Sequence, residues 1–183
     1  YVTLYANFFV GICAFLPFPG WQKMVAFLSS ASILSYGIGP ICLLALRKMQ
    51  PEQHRPFRLS ASLIICHIAF YVANLMLYWC GFSVIWKLYI AILVGFIIYL
   101  CYQKRRFWNK NFSLVWFFSY LSILLLLSYL GPFGGIGRLK FPMGMLVILP
   151  FSILMLYLSQ YCLVRDQAEE ESFALMNKQL QDL

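Results

Sequence analysis

Six long apolar runs, separated by short connections that carry most of the charge, constrain this chain more than any other feature. The runs cover roughly residues 3–18, 24–46, 59–81, 84–102, 112–130 and 141–164. A helix of about 20 residues crosses a hydrocarbon core about 30 Å thick. In lipid, only helices and closed barrels satisfy their own backbone polar groups. A membrane barrel would show alternating segments of about 10 residues, and none is present. Composition agrees: 62% of the residues are hydrophobic and 11% charged, against about 45–50% and about 25% in ordinary globular proteins. The expectation is an all-α polytopic membrane protein with about six transmembrane helices, whose first partner is the lipid bilayer.

A net charge of +8 raises the question of nucleic acid. Recognition of nucleic acid gathers basic residues on one face, whereas here they fall in clusters between apolar runs, so no nucleic-acid partner is expected. Their distribution sets orientation instead. Six spans place both termini on one side. That side holds Arg47, Lys48, Arg55, Arg58, Lys104, Arg105, Arg106, Lys110, Arg165 and Lys178, ten in all; the opposite side holds four, Lys23, Lys87, Arg138 and Lys140. Excess Lys and Arg marks the cytoplasmic face, so both termini are expected in the cytoplasm. Trp21, Trp79, Trp86, Trp108 and Trp116 lie near span ends, as interfacial aromatics do.

The chain opens at Tyr1 on sequence that already reads as helix interior, without a basic segment and cleavage site. It is therefore expected to be the C-terminal piece of something longer. Residues 1–164 form the transmembrane region on this reading, and residues 165–183 a cytoplasmic amphipathic tail. In the tail Phe173, Met176, Leu180 and Leu183 recur at three- and four-residue spacing beside Glu169, Glu170 and Glu171. Its acidic start argues against docking on anionic lipid, and a frayed tail is expected.

Candidate chemistry is sparse. No Asp or Glu lies within any of the six runs, so the carboxylate that a proton relay or cation site normally needs is absent from them. His67 is the one histidine there, read as a neutral ring bonded to a neighbouring helix rather than as a proton carrier. The six cysteines (13, 42, 66, 80, 101 and 162) show no CxxC pair and read as small buried hydrophobes, with no metal expected. The Gly-rich GPFGGIGRLKFP connection from Gly131 lacks GK[ST] and a preceding strand, so it reads as a flexible turn and not a phosphate cradle. Asn111-Phe112-Ser113 matches a glycosylation sequon that the charge count places in the cytoplasm. No HExxH, no Ser-His-Asp arrangement and no Cys/His ligand spacing occurs; no catalytic residue, cofactor or enzyme activity is expected.

The richest window is Ile33 to Ser60, ILSYGIGPICLLALRKMQPEQHRPFRLS. Pro40 has no N–H to donate to the Tyr36 carbonyl, so a broken helix is expected at Gly37, Gly39 and Pro40. Ser29, Ser30, Ser32 and Ser35 precede the break. Small hydroxyl residues let helices approach or bond back to a carbonyl. Alternatively, Ser35, Tyr36, Gly37, Gly39 and Pro40 border a substrate or ion path, as irregular backbone does at transporter midplanes.

Leu34-Ser35-Tyr36, Gly39-Pro40, the Leu-Arg-Lys exit at 46–48 and Arg55-Pro56-Phe57-Arg58 together resemble the tenth span and following loop of amino-acid permeases of the amino acid–polyamine–organocation superfamily. Asn7 to Leu28 looks like the ninth span. FGGIG at 133–137 with Phe141-Pro142 is loosely similar to the last external loop of fourteen-span bacterial members. The resemblance implies part of a LeuT-like inverted-repeat fold, about spans nine to fourteen, from a secondary transporter of the bacterial inner membrane. It implies an amino-acid substrate only when the earlier spans are present, with coupling to a proton or to exchange. The glycine-rich stretches that grip substrate in that family lie outside this sequence, so no binding residue is carried over. A six-helix scaffold or interaction subunit without transport activity is the alternative.

Overall fold

A computed structural model describes residues 1–15, 20–54, 56–57, 59–102 and 112–181. Six helices follow one another: α1 (Val2–Phe15), α2 (Trp21–Met49), α3 (Ser62–Cys80), α4 (Phe82–Tyr102), α5 (Phe112–Leu130) and α6 (Met143–Gln181). The described residues form no strand. Five helices, α2 to α6, are long and apolar enough to cross a membrane. α1 has 14 residues, about 21 Å at 1.5 Å per residue and short of a core about 30 Å thick. The end of the expected first span, residues 16–18, lies outside the described residues.

The core sits between α2, α3, α5 and α6, with α4 laid against α2 and α5. Leu34, Ile41 and Leu44 of α2 meet Phe70 and Leu77 of α3, Leu121 and Leu124 of α5, and Met155 and Leu156 of α6. Every described side chain of α1 is exposed. Such faces carry no penalty in a bilayer, because lipid tails are as apolar as leucine.

The helix ends are pinned by specific bonds. At one end, Arg47 Nη1 of α2 donates to Leu59 O at 3.4 Å and to Ser62 Oγ at the start of α3. At the same end by helix order, Asp166 of α6 accepts from the backbone N–H of Phe112 at 3.1 Å and of Ser113 at 2.9 Å, and from the Ser113 hydroxyl. A carboxylate there satisfies orphan donors and complements the positive end of the α5 dipole. Arg165 lies 3.9 Å from the centroid of the Phe112 ring, within cation–π range.

The expected tail continues the last span without a break, as α6 runs on as helix to Gln181. Its apolar part reaches Ala168 and so includes Asp166, an acidic residue at a span end that α5 stabilises. The side chains of residues 173–183 lie outside the described ones.

At the opposite end, the Gly-rich connection is not a loose turn. Gly131 N–H donates to Ser128 O at 3.1 Å, Ile136 to Tyr129 O at 2.8 Å, Gly137 to Gly131 O at 3.0 Å and Leu139 to Leu130 O at 2.9 Å. Phe82 N–H donates across to Phe133 O at 2.9 Å, and the Phe133 ring meets Tyr78 edge-on at 5.8 Å. Gly81 turns the chain between α3 and α4 at φ 86°, where a Cβ would lie 2.8 Å from Phe133 O. The loop is a folded cap on that turn.

Candidate functional site

α2 stays helical from Trp21 to Met49, through Gly37, Gly39 and Pro40. The expected break is therefore absent. Proline removes one bond from the ladder, and in membrane helices neighbouring helices and serine side chains make that loss tolerable. The serines bond to their own helix: Ser30 Oγ to Phe27 O at 2.7 Å, Ser32 Oγ to Leu28 O at 3.1 Å and Ser35 Oγ to Ala31 O at 3.1 Å. The back-bonding reading holds for these three.

The five path candidates do not share one face. Gly37 is buried, in van der Waals reach of Ala73 and Phe70 of α3. Ser35, Tyr36 and Gly39 point outward, with Tyr36 74% exposed, and Pro40 lies between. Helical periodicity separates what sequence proximity suggested. Together with Ser32 and Leu43, the outward residues form a stripe that no described helix covers.

A polar centre lies deeper, among α3, α5 and α6. Asn74 is fully buried. Its Nδ2 donates to Ser152 Oγ of α6 at 3.1 Å, and its Oδ1 accepts from the Tyr120 hydroxyl of α5 at 2.6 Å. Ser152 in turn donates to Ile148 O at 2.8 Å. Tyr120 stacks on Trp116 and Phe151 at 5.5 and 5.9 Å, and Trp116 Nε1 donates to Met155 O at 3.0 Å. Interhelical bonds of this kind contribute about 0.6 kcal/mol each in membrane proteins, while leaving one partner bare costs about 1–3 kcal/mol. The centre thus fixes which helices adjoin more than it adds stability. An amide inside an apolar run, as Asn74 is, is itself a signal in the sequence, because it must find a partner.

The remaining candidates are local. His67 Nδ1 pairs with Leu63 O at 2.7 Å, one turn back in its own helix rather than on a neighbour. Of the described cysteines only Cys66 is buried, Cys42 and Cys101 are exposed, and none is in a disulfide; Cys13 lies outside the described side chains. No group of His, Cys, Asp or Glu fit to hold a metal occurs among the described residues. Asn111 of the sequon is outside the described residues, as are Lys104, Arg105, Arg106 and Lys110, and Arg55 and Arg58.

Over 167 residues, 87% of its length, the chain is 33% identical to the Aspartate-proton symporter of Bacillus subtilis (strain 168). It is 31% identical over 157 residues, 82% of its length, to the Glutamate/serine transporter AimA of the same organism. Both relatives are amino-acid transporters. The chain spans about a third of the length of these relatives, 32% and 29% respectively. No family model and no solved structure matches it. It is thus a multi-pass helical membrane protein related to transporters rather than to enzymes.

Proposed function

We propose that this chain is the C-terminal part, about spans nine to fourteen, of an amino-acid permease of the amino acid–polyamine–organocation superfamily. The complete protein would move an amino acid across the bacterial inner membrane by alternating access, driven by a proton or by exchange, with both termini cytoplasmic. Similarity to two amino-acid transporters over more than four-fifths of the chain carries this reading. The relatives' names make aspartate, glutamate and serine the first substrates to test.

In this scheme the outward stripe of α2 faces the rest of the permease. Ser35, Tyr36, Gly39 and Pro40 border the path, and Gly37 lets α2 lie close to α3. Absent carboxylates in the middle of the spans leave a coupling group to the other part of the protein.

Uptake of labelled aspartate, glutamate and serine is the test, in cells that lack their own carriers and express the full-length protein. Saturable uptake of at least one, abolished by an uncoupler or replaced by counterflow from preloaded cells, is the expected result. A full-length, membrane-inserted protein that moves none of a complete set of amino acids would remove the proposal.

A further inference from the structure

The end of the bundle where α2, α4 and α6 begin carries charge of one sign. Lys23 lies in the first turn of α2, Lys87 in the second turn of α4, and Arg138 and Lys140 in the connection that leads to α6. The six acids of the chain are Glu52, Asp166, Glu169, Glu170, Glu171 and Asp182. They fall in the α2–α3 connection, or from the last turn of the α6 span onward. Helix order puts both places on the opposite side, so these four cations have no acid beside them.

The folded cap fixes where two of them stand. Leu139 N–H donates to Leu130 O at 2.9 Å and Gly137 N–H to Gly131 O at 3.0 Å, and the Leu139 side chain packs half-buried against the core. Arg138 and Lys140, on either side of Leu139, are exposed. Lys23 is exposed as well, while Lys87 is half-buried. The exposed cations of the cap thus stand on anchored backbone.

Solvated faces ordinarily intersperse both signs. A face of one sign raises the local concentration of solutes of the other, over a Debye length of about 8 Å at physiological salt and about 30 Å at about 0.01 M. Of the three substrates set out above, aspartate and glutamate are net negative at neutral pH and serine is not. We propose that Lys23, Arg138 and Lys140 concentrate acidic amino acids at the outer face of the permease and so favour them over neutral ones. The inference rests on the permease reading, with this end outside, and narrows its substrate to the acidic class.

Uptake by the full-length protein in right-side-out membrane vesicles, from cells without their own carriers, tests it. The wild type and K23Q/R138Q/K140Q are compared at low and high salt, with sucrose balancing osmolarity. At low salt the variant is expected to show a KM for aspartate about threefold higher, as three unit charges about 10–15 Å from the substrate give in water. Its turnover, and the KM of any neutral amino acid, stay those of the wild type. At about 1 M salt, where the Debye length is about 3 Å, the difference disappears. The conservative variant K23R/R138K/K140R keeps the wild-type KM throughout. An aspartate KM equal in wild type and K23Q/R138Q/K140Q at low salt would overturn this inference and leave the permease reading standing, as would uptake of serine without aspartate or glutamate. A KM change shared by neutral substrates, or one that persists at high salt, would assign the three side chains to folding or to lipid headgroups and overturn it too. Absence of all amino-acid uptake would instead remove the permease reading, and the inference with it.

Discussion

Around Gly37 and Gly39 of α2 there is room. A Cβ at Gly37 would meet nothing nearer than Ala73 Cβ at 3.8 Å, and one at Gly39 nothing within 4 Å. Around Gly131, Gly135 and Gly144, at the other end of the bundle, there is none. A Cβ at Gly135 would fall onto the Tyr129 carbonyl oxygen and 2.7 Å from that of Ser128; one at Gly131 would lie 2.6 Å from the Tyr78 hydroxyl, and one at Gly144 2.9 Å from Tyr78 Cζ. The same residue type thus serves opposite ends. In α2 it lowers the cost of bending a continuous helix and leaves a face open. In the α5–α6 cap it lets backbone pack on backbone, which holds the cap shut.

Substitutions can break this contrast. Gly135→Ala has the largest expected effect, because both obstacles are backbone atoms that cannot step aside. A loss above about 4 kcal/mol is expected, read as failure to recover a monodisperse folded protein in detergent; a wild-type melting curve would show that the cap is not packed this way. Gly144→Ala comes next, with about 1–3 kcal/mol of overpacking read from the thermal midpoint. The Tyr78 hydroxyl is buried without a hydrogen-bond partner among the described residues. Adding Tyr78→Phe should therefore restore part of that loss, the ring carbons remaining close to the new methyl, and fully additive losses would place the clash elsewhere. Gly39→Ala is the smallest and has the opposite sign: a gain of up to about 1 kcal/mol from helix propensity alone. A lower midpoint would mean that the outward face of α2 is already occupied.

Five of the six spans were legible, because apolar length and charge spacing are local properties of the sequence. α5 begins and ends where the apolar run does, at Phe112 and Leu130. What escaped depends on distant partners. Pro40 argued for a break by a local rule, yet α2 runs on through it. The glycines after Leu130 read as flexible because the Phe82 N–H that fixes the loop lies about fifty residues earlier. Asp166 read as part of a tail because the α5 start that it caps is 53 and 54 residues away. Asn74 stood in plain sight, but Tyr120 and Ser152 became its partners only through packing. Of the path candidates, sequence supplied the stretch, and the helical turn decided that Gly37 faces inward while Ser35, Tyr36 and Gly39 face out.

The outward face of α2 as a border of the amino-acid path is the central claim, and substrate protection tests it most directly. Gly39→Cys and Gly37→Cys are placed singly in the full-length protein with its native cysteines replaced, since Cys42 is also exposed. Uptake is followed during treatment with a small thiol reagent. Modification of Gly39→Cys is expected to block uptake, and saturating substrate to slow that modification, while Gly37→Cys, packed against Phe70, stays unmodified. Full modification of Gly39→Cys that leaves uptake unchanged and ignores substrate would contradict the account.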